Sequence, residues 1–93
     1  MRLTIVPISG TVSKNGISYN NLDLSFMPSN VHAVQWYDTF GEIEVKDVIT
    51  NKMIANEPIT DITIFNDAIT LWEEANTKAE ILKAELELLR SQT

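Results

Sequence analysis

From Ile59 to its end the chain has neither glycine nor proline, and alanine, leucine, glutamate and lysine dominate its last third. A stretch so free of helix breakers, with apolar residues recurring every three or four positions, can fold into little except a helix. Ile62, Phe65, Ile69 and Trp72 fall on one face, and the apolar line continues through Ala75, Ala79, Leu82, Leu86 and Leu89. Two successive steps of three, from Ile69 to Trp72 and from Trp72 to Ala75, interrupt a strict heptad. Thr60 or Asp61 supplies a capping oxygen, and Asp67 places negative charge near the helix start. A helix of roughly thirty residues is about 45 Å long, more than the rest of so short a chain can cover. Phe65 and Trp72 are expected to pack on that remainder, each contributing about 2 to 3 kcal/mol. Leu82, Leu86 and Leu89 are left needing a partner, and a second copy of the same helix is the simplest one.

Before Pro58 the apolar residues are β-branched or aromatic and are broken up by turn formers. Leu3 to Val6 reads as a strand ended by Pro7. Asn15-Gly16 tolerates the positive φ angles of a type I′ turn, so Thr11 to Ser13 and Ile17 to Tyr19 form a hairpin. Leu22, Leu24 and Phe26 alternate with polar residues and read as a further strand. In the strand Val31 to Trp36, alternation sets Val31, Ala33 and Gln35 against His32, Val34 and Trp36. Glu42, Glu44 and Lys46 alternate with Ile43 and Val45 as a strand with one wet face, and residues 48–58 suggest another hairpin around Asn51 and Lys52, with Ile49 and Met53 or Ile54 as its apolar contacts. The fold class expected is α+β: a small antiparallel β-sheet or sandwich over residues 1–59, then one long amphipathic helix over 60–93 that is a candidate coiled coil.

At 93 residues the chain supports one core, and without cysteine it has neither a disulfide nor a thiolate metal site to stabilise it. Oligomerisation is the remaining means. A net charge of −6 argues against nucleic acid and anionic membranes as partners, because phosphate contacts need clustered lysine and arginine. No apolar run is long enough to span a bilayer, and the N-terminus is too weakly apolar for a secretory signal, which makes the cytoplasm the expected location.

His32 is the only histidine, with no second ligand, HExxH or CxxC pattern beside it, so a strand histidine is the simpler reading. Glu42 and Glu44 lie about 7 Å apart on one strand face, as solvated acidic pairs commonly do. There is no GxSxG elbow and no glycine-rich phosphate loop. The expectation is a protein without catalytic residues, metal or cofactor. Trp36 suits the core, whereas Tyr37 suits core and recognition surface equally.

Val31-His32-Ala33-Val34-Gln35-Trp36, then Gly41-Glu42-Ile43-Glu44 with Asp47, then Asn56-Glu57 with Ile59, and finally Trp72 on the helix, resemble a group of small proteins encoded in the tail-gene region of bacteriophages. The likeness covers roughly residues 1–75, and some members of the group resemble tail-fibre assembly chaperones. The resemblance implies a β domain that holds the tail-fibre protein and a C-terminal helix that joins three copies, acting in the host cytoplasm during assembly. On this reading Ala75, Ala79, Leu82, Leu86 and Leu89 carry self-association, and the surface near His32, Tyr37 and Phe40 meets the fibre. The alternatives are a small structural virion protein at the fibre tip or baseplate, and an acidic inhibitor of a host enzyme.

Overall fold

The computed structural model describes residues 1–92. Six strands, β1 (Arg2–Val6), β2 (Thr11–Lys14), β3 (Ile17–Tyr19), β4 (Val31–Tyr37), β5 (Gly41–Val45) and β6 (Glu57–Ile59), precede a 3-10 turn (Thr63–Phe65) and one helix, α1 (Asn66–Ser91). They form a single sheet in the order β3-β2-β1-β4-β5-β6 with every neighbouring pair antiparallel. Two three-stranded meanders are thus joined where β1 pairs with β4. The α+β class with a long C-terminal helix is as the sequence predicts.

The β2–β3 hairpin turns through Asn15 (φ 51) and Gly16 (φ 86), as the Asn-Gly pair requires. Asn15 also ties the turn to β1, donating its N–H to the Arg2 carbonyl and accepting the Arg2 N–H on its side chain, each at 2.9 Å.

One expected strand does not form. Residues 22–24 are irregular and lead into a turn closed by the Met27 N–H on the Leu24 carbonyl, with the Asp23 carboxylate taking the Ser25 N–H at 3.1 Å and Asn21 at a φ of 60. Such local side-chain bonds compete with a ladder. Leu24 and Met27 are buried and close the core from that side, while Phe26 stays half exposed.

On β4 the simple alternation fails at His32. Val31 pairs with Val45 and Ala33 with Glu44, so His32 is the extra residue of a β-bulge. The bulge moves Val31 onto the face of Val34 and Trp36, and all three join the core. Beyond β5 the chain reverses over 47–52, where the hairpin around Asn51 and Lys52 is expected: the Asp47 carboxylate accepts the N–H groups of Ile49 and Thr50 at 2.8 and 3.1 Å. The ladder behind it is a single bridge, Lys46 to Met53. Ile49 is 96% exposed and Met53 and Ile54 are half exposed, so the apolar contacts expected there are not made.

Leu3, Ile5, Val12 and Val34 are fully buried on one face of the sheet, beneath Phe65, Ala68 and Trp72. Burial of each aliphatic side chain of this kind stabilises by about 2 kcal/mol. Ala68, not Ile69, is the fully buried residue of the helix's first turn, since a small side chain lets helix and sheet approach; Ile69 packs at the margin. Thr60 and Asp61 lie ahead of α1 and do not cap it; Asp61 instead bonds the first residue of the 3-10 turn, accepting the Thr63 N–H at 2.9 Å and its hydroxyl at 2.5 Å.

Gly41 lies opposite Trp36, and a Cβ there would sit 2.3 Å from the Gln35 carbonyl oxygen and 2.9 Å from the indole. Gly41→Ala is expected to lower unfolding stability by about 2 kcal/mol, measured by urea denaturation. Asp23, Asp47 and Asp61 are each held below the ordinary aspartate range by hydrogen bonds: from Ser25 (hydroxyl, then N–H), from the N–H groups of Thr50 and Ile49, and from Thr63 (hydroxyl, then N–H). A carboxylate with a lowered folded pKa contributes stability that is present above its unfolded value and lost as protons bind it. The urea midpoint should therefore hold near neutrality and fall as pH drops below about 4. Alanine at Asp47 and Asp61 together should flatten that fall.

Candidate functional site

The last sheet contact along α1 is a hydrogen bond from the Tyr19 hydroxyl to the Asn76 side-chain oxygen, 2.8 Å long. From Thr77 to Gln92 every residue is exposed. At 1.5 Å per residue this arm extends about 24 Å beyond the sheet, which accounts for the long axis of 56 Å in a molecule 29 and 17 Å across.

The arm's apolar line continues the buried one. With Ala68 in place of Ile69, the seam reads Phe65, Ala68, Trp72, Ala75, Ala79, Leu82, Leu86, Leu89, alternating steps of three and four without interruption. The break expected between Trp72 and Ala75 is therefore absent. Phe65, Ala68 and Trp72 pack on the sheet, Ala75 is half-buried, and Ala79, Leu82, Leu86 and Leu89 stand in solvent, with Leu82 57%, Leu86 47% and Leu89 60% exposed. Ala79, Leu82 and Leu86 line a shallow groove of about 310 Å³ bordered by Lys83, Glu87 and Arg90. Ile81 and Leu88, seven positions apart, expose a second apolar strip off the seam; their spacing was legible in the sequence but lies outside the line that the eye follows.

Of the three residues expected to meet a partner on the β domain, two come together. Tyr37 and Phe40 stack at the β4–β5 turn with ring centroids 5.5 Å apart. The Arg2 guanidinium lies 5.4 Å from the Tyr37 ring, and the Met1 ammonium meets the Asp38 carboxylate at 2.6 Å. The hydrogen bond and charge of that ammonium hold the Asp38 carboxyl below its ordinary pKa, while Asp38 itself takes a φ of 83, unusual for a residue with a side chain. The result is a braced aromatic corner with Phe40 58% exposed. His32 lies elsewhere, five residues back along β4 and roughly 16 Å away at the strand rise. It borders an open groove of about 650 Å³ with Ile8, Leu24, Met27 and Lys46.

The sheet face away from α1 is polar. Thr4 donates to the Gln35 side-chain oxygen at 2.8 Å, and Gln35 donates to Glu44 at 3.2 Å, a chain across β1, β4 and β5. Glu44 is thereby engaged in a structural bond. Among the described residues there is no group of three side chains placed to hold a metal, and no helix long and apolar enough to cross a membrane.

Because Tyr37 and Phe40 lie outside the buried core cluster, Tyr37→Ala and Phe40→Ala should each shift unfolding stability by no more than about 1 kcal/mol in chemical denaturation. A core role for either would show as a loss of about 3 kcal/mol or more. Comparison with protein-family models, with curated proteins and with solved structures gives no match to this chain.

Proposed function

We infer that the protein is a bacteriophage tail-fibre assembly chaperone, a non-enzymatic binding protein that holds the fibre through its β domain and self-associates through the arm of α1. The observation that carries this reading is the arm itself: an apolar seam that continues the core's own line and stands in water from Ala79 to Leu89. Isolated exposed leucines are commonplace, but a contiguous apolar line on a helix marks an interaction surface. The sequence resemblance to tail-region proteins supplies the client.

Strand addition is not the mode of client contact that the sheet supports. The outer strands β3 and β6 are each only three residues long, and β6 has Pro58 at its centre. Both devices blunt a sheet edge. The braced corner of Tyr37 and Phe40 is the better candidate, since rigid aromatic side chains bind with little loss of conformational freedom. A client of slow-forming, non-local β pairings gains from being held this way while it folds, and linked copies raise the effective concentration of its chains.

Co-expression with a fibre protein from the same phage tests the proposal. Soluble fibre should depend on this chain, drop at least several-fold with Tyr37→Ala/Phe40→Ala, and drop similarly with Leu86→Asp/Leu89→Asp, whose β domain remains folded by circular dichroism. Fibre that is equally soluble with and without the chain would refute the chaperone function.

A further inference from the structure

We propose that the arms of two copies pair antiparallel, forming a two-fold dimer with the β domains at opposite ends, in contrast to the three joined copies that the resemblance implies. This rests on the reading that the arm self-associates, and adds its direction and number. The decisive feature is that sheet and arm share one seam. Phe65, Ala68 and Trp72 hold the chain's own sheet against the same side of the helical segment that Ala79, Leu82, Leu86 and Leu89 present to solvent from two turns further on. Helices in contact lie about 8 to 10 Å apart, and a sheet packs on a helix at a similar distance. A parallel neighbour seated on the exposed seam would therefore run into this sheet at the level of Trp72, and its own sheet would enter the same space. A bundle of three parallel arms meets that obstruction three times.

An antiparallel neighbour avoids it. With Leu82 opposite Leu86 and Ala79 opposite Leu89 of the second copy, Gln92 of that copy lies level with Asn76, the last residue bonded to the sheet. The overlap then coincides with the exposed stretch, Thr77 to Gln92. The layers also fit by size, since each Ala79 meets a leucine, whereas parallel copies would set alanine against alanine and leave a gap. The register one heptad closer in pairs Lys78 with Glu85 but carries Leu89 of the second copy to Trp72, which is occupied. In the register that clears the sheet, Glu85 faces Glu85 and Lys83 faces Lys83 across the axis. Exposed like-charge pairs of this kind weaken an association by a few-fold each, which does not outweigh four buried layers. Overlap with a folded sheet has no comparable relief.

The chain has no cysteine, so introduced cysteines report on the pairing alone. Under mild oxidation, a mixture of Ala79→Cys and Leu89→Cys chains should yield the mixed disulfide in large excess over either homodimer. Glu85→Cys, which leaves every seam layer intact, should crosslink to itself. Sedimentation velocity of the unmodified protein should give a concentration-dependent dimer that Leu86→Asp/Leu89→Asp abolishes. Self-linked Leu89→Cys with no self-linked Glu85→Cys, or a trimer in sedimentation, would overturn the antiparallel pair while leaving self-association standing. A monomer at every concentration would remove self-association itself, whereas fibre binding by the β domain is read separately in co-expression.

Discussion

Trp72 is the contact on which the rest of the molecule depends. Its indole N–H is bonded to the Ile17 carbonyl at 2.8 Å, its ring meets Tyr19 edge-on with centroids 5.7 Å apart, and the Lys14 ammonium lies 4.8 Å from its centroid while pairing with Glu73. A buried indole needs an acceptor for its one donor, and taking it from β3 fixes the helix over the β2–β3 hairpin. The same bond ties the helix to an outermost strand of the sheet. It also sets where α1 leaves the sheet, and hence how much of the helix remains in solvent.

Two irregularities let the sheet accept that helix. The bulge at His32 brings Val31 to the core side of β4, and Gly41 leaves room on β5 for the Trp36 ring. Without the first, an apolar side chain would face the polar surface where Thr4, Gln35 and Glu44 are linked. The bulge also ejects His32 into solvent, far from Tyr37 and Phe40. One small sheet therefore carries a buried face, a hydrogen-bonded polar face and a braced aromatic corner at the β4–β5 turn.

The heptad line of α1 has two environments. Its first turns are covered by the chain's own sheet, and its last turns by nothing among the described residues. A coiled-coil pattern specifies a partner face without saying what fills it, and here a sheet occupies the first part. That occupancy constrains the second, because any helix seated on the exposed seam must stop before it reaches the sheet. In the proposed assembly the shared line of side chains couples fold to self-association, with the sheet as the stop.

Local chemistry determined a good deal on its own. Asn15-Gly16 specified its hairpin because few residue pairs accept two positive φ angles, and the breaker-free final third specified a helix that outruns the domain. Pattern reading failed where a local bond or a neighbour decided. The Asp23 side chain turned residues 22–26 away from a strand that their alternation suggested, and one extra residue at His32 reversed the side to which Val31 points. Choosing Ala68 over Ile69 for the core required knowing how closely helix and sheet approach, and hydropathy alone favours the larger residue. Tyr37 and Phe40 could be named from the sequence, but their stacking arises from a turn geometry that Asp38 and the N-terminus create together. Periodicity within a segment is written in its residues, whereas the face that is covered, and by what, depends on distances between segments that only the folded chain sets.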